Sequence, residues 1–503
     1  MTGASRRTSA RALLSALLDE NSFISWDAAL TEVAASRDYR EALTGAAVAA
    51  GTDESVLTGE GRLRGRRIAV IACEFGFLGG SIGVAAAERI ATAVERATQL
   101  GLPLLASPTS GGTRMQEGTL AFVQMVKIAG AVTAHKAAGY PYVVYLRNPT
   151  MGGVFASWGS LGHITFAEPG AQIGFLGPRV YEALYDRPFP TGVQTAENLY
   201  RSGVIDGVVG LPVFRRIAYR ALSVFSGVPA TGAESEPAPG SRATGSEPDA
   251  WESVLSSRRP DRPGIRELLR QVTQRVPLSG TGQGESDRTV VLALARFRGR
   301  PCVVFGHDRA QQDPEHTMGP AALREARRSM RLAAELRLPL VLVIDTAGAA
   351  LTQEAEERGL APEIARCLAD LVTLDTPTVS VLLGQGTGGG ALALLPADRV
   401  LAATHGWLAP LPPEGASAIV HRDTTHAAEL AVRQRIRSAD LLADGIVDRV
   451  VPEYPDAAEE PVEFARRTVS AIAQELAVLA GQSPSLLRET RRRRYRRLGL
   501  PRQ

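Results

Sequence analysis

Short apolar runs alternate with longer stretches of helical period over most of the chain. Runs at 68–72, 103–106 and 142–146 are four or five residues long, apolar and bounded by glycine, proline or charge. Runs of that length read as buried strands, and the stretches between them (85–100 and 120–138) read as helices. The second half follows the same alternation, with strands predicted at 290–295, 302–305, 340–344 and 378–383. Helices are predicted there near 321–336 and 362–372. Strands spaced by helices of this length favour a mostly parallel sheet covered by helices. Residues 1 to about 60 read as short helices and loops that carry no chemistry.

The two halves repeat each other. Arg64-Gly65-Arg66-Arg67 before one apolar run returns as Arg298-Gly299-Arg300-Pro301 before another. Leu100-Gly101-Leu102-Pro103 returns as Leu336-Arg337-Leu338-Pro339, and Gly152-Gly153-Val154 as Gly389-Gly390-Ala391. Gly203-Val204-Ile205-Asp206 returns as Gly445-Ile446-Val447-Asp448. The offsets are 298 − 64 = 234, 336 − 100 = 236, 389 − 152 = 237 and 445 − 203 = 242. A period this long makes each copy a whole domain rather than a solenoid unit. The expected organisation is a first domain at 1–228, a flexible Pro/Gly/Ser/Glu-rich linker at 229–250 and a second domain at 251–503. Two like domains of this kind can face each other and build one site from two similar halves.

Composition narrows the function classes. Hydrophobic residues make up 45% and charged residues 22% of the 503, which is the balance of an ordinary globular protein. The formal charge of +3 is too small for this length to imply a nucleic-acid partner. Three cysteines (Cys73, Cys302, Cys367) lie in apolar or helical runs without metal-ligand spacing, so neither a disulfide scaffold nor a zinc site is expected. With no signal peptide and no long apolar span, the expected location is the cytoplasm.

Two glycine turns carry the chemistry. Pro149-Thr150-Met151-Gly152-Gly153 and the run Gly384–Ala391 each sit between a predicted strand and a predicted helix. The first N–H groups of such a helix lack internal partners and carry the positive end of the dipole. Paired donors of this kind form an oxyanion hole. Alternatively, glycines at such junctions simply permit tight turns. Gly384, Gly386 and Gly389 also match the dinucleotide fingerprint, but no ribose-binding acid is placed about 20 residues on. No G-x-S-x-G elbow occurs, and the seven histidines are scattered; His421 and His426, five apart, have the wrong spacing to share a helix face. Arg324, Arg327, Arg328 and Arg331, and the run Arg491–Arg494 with Arg496 and Arg497, read as solvated helix surface. The competing reading for these arginines is contact with phosphates or with an acidic partner.

The motifs bring a resemblance into view. FGFLGGSIG (75–83), SPTSGGTRMQEG (107–118), NPTMGG (148–153), AEPGAQIGFLGPRV (167–180) and GVIDGVV (203–209) resemble the beta subunit of the carboxyltransferase of two-subunit acetyl-CoA carboxylase. RPCVVFGHDR (300–309), IDTAGAALTQEAEERG (344–359), GQGTGGGALAL (384–394), PPEGASAI (412–419) and RRRRYRRLG (491–499) resemble its alpha subunit. The chain thus resembles a beta–alpha fusion. The resemblance implies an α/β chain of two tandem crotonase-like (ClpP/crotonase, β-β-α superhelix) domains. It implies carboxyl transfer from carboxybiotin, carried on a separate protein, to the α carbon of an acyl-CoA, most simply acetyl-CoA giving malonyl-CoA. By motif match, Gly152 and Gly153 hold the thioester oxygen, while Gly390 and Ala391 hold the biotin oxygen. Ser110, Gly111, Gly112, Arg114, Ala347, Gly348 and Gly389 would line the substrates. The implied partners are a biotin carboxyl carrier protein, a biotin carboxylase and a second copy of the chain in a homodimer. No metal, membrane or nucleic acid is implied.

Three departures from the family pattern stand out. Residues 1–60 contain no cysteine, so the zinc ribbon of the beta subunit is missing. The D-T-P-G-A-Y motif reads Asp345-Thr346-Ala347-Gly348-Ala349-Ala350, and an acid of the second glycine motif is Gln385. Two other readings compete with carboxyl transfer: decarboxylation of a malonyl thioester on the same fold, and a catalytically silent scaffold.

Overall fold

The computed structural model describes residues 7–28, 36–175, 177–225, 248–313 and 316–499. The chain divides into two compact units, Met1–Ser223 with Gly282–Gly284, and Val224–Thr281 with Glu285–Gln503. The expected linker at 229–250 lies, through residue 247, outside the described residues.

In the first unit, β1 (Ile24–Ser25), β2 (Val56–Leu63), β3 (Arg66–Cys73), β4 (Leu104–Ser107), β5 (Tyr142–Leu146), β7 (Ile164–Ala167) and β9 (Gly207–Val208) form one sheet in that order. Two further strands, β6 (Thr150–Met151) and β8 (Ile173–Gly174), pair separately. β2 and β3 form a hairpin closed by Arg64 (φ 48°) and Gly65 (φ 81°), the two left-handed residues that a two-residue hairpin turn requires. From β3 onward every neighbouring pair is parallel. The helix Val84–Gln99 buries Ala86, Ala87, Ile90, Val94 and Ala97 at helical spacing against this core.

The second unit repeats the plan. β10 (Gln274–Leu278), β11 (Val290–Phe297), β12 (Arg300–His307), β13 (Leu340–Thr346), β14 (Thr378–Thr387), β15 (Arg399–Ala403) and β17 (Arg449–Val451) are ordered in sequence, and β16 (Trp407–Ala409) pairs with the far end of β14. Its hairpin turns on Arg298 (φ 47°) and Gly299 (φ 83°), the counterparts of Arg64 and Gly65. The helices Pro320–Leu336 and Leu360–Thr373 lie in the connections, and Pro461–Leu479 follows the last strand.

Every strand and helix predicted from the apolar pattern is present within a few residues. Ten further strands, β1, β2, β6 to β10 and β15 to β17, were not predicted. Most are only two to five residues long; β10 contains Pro277, and glycines 59 and 61 break the apolar run of the longer β2. One further difference bears on the site. The glycine run begins inside β14 rather than after it, because Gln385, Gly386 and Thr387 pair in parallel with β16. A Cβ on Gly384 would lie 2.5 Å from Asp345 Oδ1, and one on Gly386 would lie 2.6 Å from the Trp407 carbonyl. These two glycines are therefore packing residues, and the dinucleotide fingerprint loses its structural context.

Candidate active site

In the first unit the chain leaves β5, runs through β6 and turns at Gly152 (φ 63°) into the helix Gly152–Phe155. The N–H groups of Gly152, Gly153 and Val154 precede the intrahelical ladder, so helix geometry leaves them without helical partners. The carbonyl of Gly152 already accepts from Ala156 N at 3.0 Å. Alongside runs the turn Ser110-Gly111-Gly112, fixed to the same segment. Ser110 N donates to the Pro149 carbonyl at 2.7 Å, and Met151 N donates to the Ser110 carbonyl at 2.9 Å. The Ser110 hydroxyl bridges its own turn, accepting from Gly112 N at 2.9 Å and donating to the Gly112 carbonyl at 3.2 Å. A Cβ on Gly152 would stand 3.5 Å from Gly112 Cα, so the two backbones are nearly in contact.

The second unit builds the same object. Thr346 Oγ1 accepts from Gly348 N at 3.1 Å and lies 2.9 Å from the Gly348 carbonyl. β14 ends at Thr387, and Gly388, also at φ 63°, opens the helix Gly388–Leu392. Gly112 and Gly348 share a φ near the edge of the left-handed region, 121° and 139°. The offsets 346 − 110, 348 − 112 and 388 − 152 are all 236. Structurally, then, Gly152 and Gly153 correspond to Gly388 and Gly389, one residue earlier than the repeat of letters suggested. Ala391 is the fourth residue of its helix, the first position whose N–H finds a partner inside the helix. The partnerless N–H groups of this turn belong to Gly388, Gly389 and Gly390. A Cβ on Gly390 would lie 3.4 Å from Ala349 N and 3.5 Å from the Gly348 carbonyl carbon, so Gly390 backs onto the neighbouring turn. Gly111 and Ala347 occupy equivalent exposed corners of the two turns.

The supports beneath the two turns differ. Arg114, expected beside the substrate, is turned inward and is 1% exposed. It pairs with Glu54 (Nη1–Oε2 2.8 Å), reaches Tyr39 and Ser55, and donates to the Ser81 carbonyl at 2.7 Å and the Ser81 hydroxyl at 3.3 Å. With all five N–H groups committed, its role is to hold the turn. The N-terminal segment, which looked devoid of function, thereby supplies Tyr39, Glu54 and Ser55 as anchors for the first turn. The second turn has Ala350 in the place of Arg114 and rests instead on Asp345. Burial pushes the Asp345 carboxyl up, opposed by Arg309 at 3.0 Å and by the nearby Arg262. Asp345 Oδ1 accepts from Gln385 N at 3.1 Å. The neighbouring His307, its pKa pushed down to about 4 by burial, accepts Asp345 N at 3.3 Å through Nδ1. Sequence reasoning missed Thr346, Gly388 and this Asp345–Arg309 pair; a constant offset of 236 from Ser110 and Gly152 was the available signal for the first two.

Several other readings are revised. Arg324 and Arg327 pair with Glu285, Glu363 and Asp370, and Arg328 donates to the Ser279 and Gly280 carbonyls, so these three tie the fold together rather than await phosphate. Arg491 is wholly buried against Asp398 at 2.7 Å. His421 and His426 do come together, their rings stacked 4.2 Å apart, because the chain folds back after the helix Pro413–His421 ends. All three cysteines are buried and free. Among the described residues, no group of three or more His, Cys, Asp or Glu is placed to hold a metal ion, and no helix is long and apolar enough to cross a membrane.

Two strand-to-helix glycine turns of one construction in duplicated sheets form a specific pattern. The family model for the carboxyl transferase domain matches residues 4–489. The chain belongs to the carboxyltransferase family. It is similar to the probable biotin-dependent acyl-coenzyme A carboxylase beta3 subunit of Mycobacterium tuberculosis, with 66% identity over 97% of this chain and 98% of that protein. It is also similar to the acetyl-coenzyme A carboxylase carboxyl transferase subunits beta/alpha of Salinispora arenicola, at 39% identity over 99% of this chain and 92% of that protein. Among solved structures it superposes on transcarboxylase 12S with a TM-score of 0.75 at 22% identity, covering 95% of this chain and 90% of that one. A single-chain, multi-domain long-chain acyl-CoA carboxylase gives a TM-score of 0.71 at 18% identity, over 93% of this chain and 46% of that one. The fold of each half is crotonase-like, and the protein is a carboxyltransferase subunit of the biotin-dependent acyl-CoA carboxylase class.

Proposed function

We propose that this carboxyltransferase takes acetyl-CoA or another short acyl-CoA, giving malonyl-CoA from acetyl-CoA, with its partnerless helix-start N–H groups stabilising charge on two substrate oxygens. The observation that carries the reading is the matched pair of turns at Gly152 and Gly388. The acyl thioester oxygen gains negative charge as the α carbon loses its proton, and a helix start presents fixed donors to it without reorganisation. Gly152 and Gly153 are assigned to the thioester oxygen, and Gly390, with Gly389, to the ureido oxygen of biotin. Ser110, Gly111, Gly112, Ala347 and Gly348 line these two turns, and Arg114 holds the first of them from behind.

The residues fit a carboxybiotin supplied by a carrier. The second turn offers partnerless N–H groups to a ureido oxygen, and a Cβ on Gly390 would crowd the adjoining turn at 3.4 Å. When bound, carboxybiotin delivers the carboxyl group and leaves a ring nitrogen basic enough to take the α proton. In balance, a C–H bond and a C–N bond break while a C–C bond and an N–H bond form. No side-chain base is required of this chain, and buried His307 is held neutral behind the second turn.

Acetyl-CoA as substrate is supported by the Salinispora relative's name. The proposed partners are a biotin carboxyl carrier protein, a biotin carboxylase and a second copy of this chain, and the proposed location is the cytoplasm. The test supplies the full chain with carboxylated carrier protein and acetyl-, propionyl- or a longer acyl-CoA. Carrier-dependent carboxylation of acetyl-CoA supports the reading; carboxylation of long chains alone, or malonyl-CoA consumption that ignores biotin capture by avidin, contradicts it.

A further inference from the structure

Beyond the glycine turns themselves, the duplication places large apolar side chains in solvent at matched steps of the two repeats, and one such pair directly follows the hydroxyl-braced turns. Met115 is 81% exposed and Leu351 is 93% exposed. Their separation, 351 − 115 = 236, is that of Ser110 from Thr346 and Gly152 from Gly388. Each lies five residues beyond the hydroxyl that braces its turn. Single exposed apolar residues are common and mean little. Two at one repeat position beside the same device are a different observation.

Neither side chain hangs from loose backbone. Arg114 N donates to the Ile82 carbonyl at 3.0 Å, and its extended backbone (φ −70°, ψ 105°) sends successive side chains to opposite sides. Arg114 goes inward to Glu54, so Met115 goes outward, on the side shared by Thr113. Thr113 Oγ1 is 3.4 Å from where a Cβ on Gly153 would stand, so that side faces the first turn. In the second unit Ala350 N donates to the Met318 carbonyl at 2.9 Å, and Ala349 N is 3.4 Å from a Cβ placed on Gly390. Leu351 follows at once and is pinned on its far side by Thr352, whose hydroxyl accepts from Ala355 N at 3.1 Å to cap the helix Gln353–Glu357.

We infer that Met115 and Leu351 are specificity-determining residues, each an apolar wall over the ligand of its own turn. Met115 flanks the alkyl group of the acyl thioester and sets how large an α substituent is accepted. Leu351 flanks the apolar bicycle of the biotin ring. The assignment of walls to ligands rests on the function proposed above. Methionine, flexible and polarisable, suits a wall that must accept more than one acyl group.

The experiment compares Met115→Ala, Met115→Phe and Leu351→Ala with the wild-type full chain on acetyl-, propionyl- and butyryl-CoA, using a carboxylated carrier protein as donor. The ratio of kcat/KM for butyryl-CoA over acetyl-CoA should rise in Met115→Ala and fall in Met115→Phe, the two differing by about 10-fold or more. Leu351→Ala should raise KM for the carrier several-fold and leave that ratio within about two-fold. An unmoved ratio in both Met115 variants overturns the proposal. So does a ratio that follows Leu351 instead, or an unmoved ratio accompanied by dissociation in sedimentation, which would make these residues contacts with a second copy. Failure of the wild type on all three thioesters overturns the underlying function, whereas wild-type turnover with an unmoved ratio overturns this assignment alone.

Discussion

Gly152 and Gly388 stand at the same step of two separate strand-to-helix turns, each at φ 63° and each the first residue of its helix. That conformation costs an L-residue about 1–2 kcal/mol, so both positions select glycine on backbone grounds alone. Gly152→Ala and Gly388→Ala should each lower stability by about that amount and reduce kcat disproportionately. Gly388→Ala should be the worse, because its Cβ would lie 3.3 Å from the Pro410 carbonyl, whereas that of Gly152 has 3.5 Å to the nearest atom. Thermal melting and steady-state kinetics on the two variants check the order.

The hydroxyls of Ser110 and Thr346 make the second matched relationship. Each accepts the N–H of the glycine two residues on. Ser110→Ala and Thr346→Val leave that buried or half-buried N–H without its acceptor, at about 1–3 kcal/mol. The expected kinetic signature is a fall in kcat with little change in KM for acyl-CoA. Thr346→Ser should restore most of the loss; if it behaves like valine, the hydroxyl is not what braces the turn.

Arg114 tests the role of the N-terminal segment. Its partner Glu54 is 2% exposed, so removing either charge strands the other in the interior. Arg114→Met should cost about 3–5 kcal/mol. A variant that melts like wild type but loses acyl-CoA affinity would instead make Arg114 a direct substrate contact.

Stability should respond to pH at both ends. Burial raises the Glu325 carboxyl to about 8 from an ordinary 4.5, reinforced by nearby Asp287. The folded state then holds a proton that the unfolded chain has released, so this contribution to stability declines as pH rises from about 4.5 to 8. Glu325→Gln should flatten that decline in denaturant titrations. His307 and His135 are pushed down to about 4 from 6.5 by burial, so the folded state binds fewer protons and stability is lost as pH falls from 6.5 towards 4. His307→Gln should reduce the acid-side loss.

Much of this architecture was legible because it rests on local pattern. The repeated anchors, the alternating strands and helices, and the two glycine segments all announce themselves in composition and period. The register of the repeat did not. Gly388-Gly389-Gly390 is three identical letters, and only the backbone angle decides that Gly388, not Gly389, matches Gly152. Arg114 was misplaced for a related reason. Motif match placed it among the substrate-lining residues, and nothing in the local sequence reveals that Glu54, sixty residues earlier, already holds it. His421 and His426 show the same limit, since helical spacing says nothing of a chain that folds back once the helix has ended.

The central claim is that main-chain N–H groups at the two helix starts stabilise charge on the reacting oxygens. It is tested most directly by replacing Gly153, and separately Gly390, with the corresponding α-hydroxy acid, which removes one N–H and leaves every side chain in place. The account predicts a fall in kcat of about 10²–10³ for carboxyl transfer at each position with the fold intact. Turnover within about two-fold of wild type in both ester variants would contradict it.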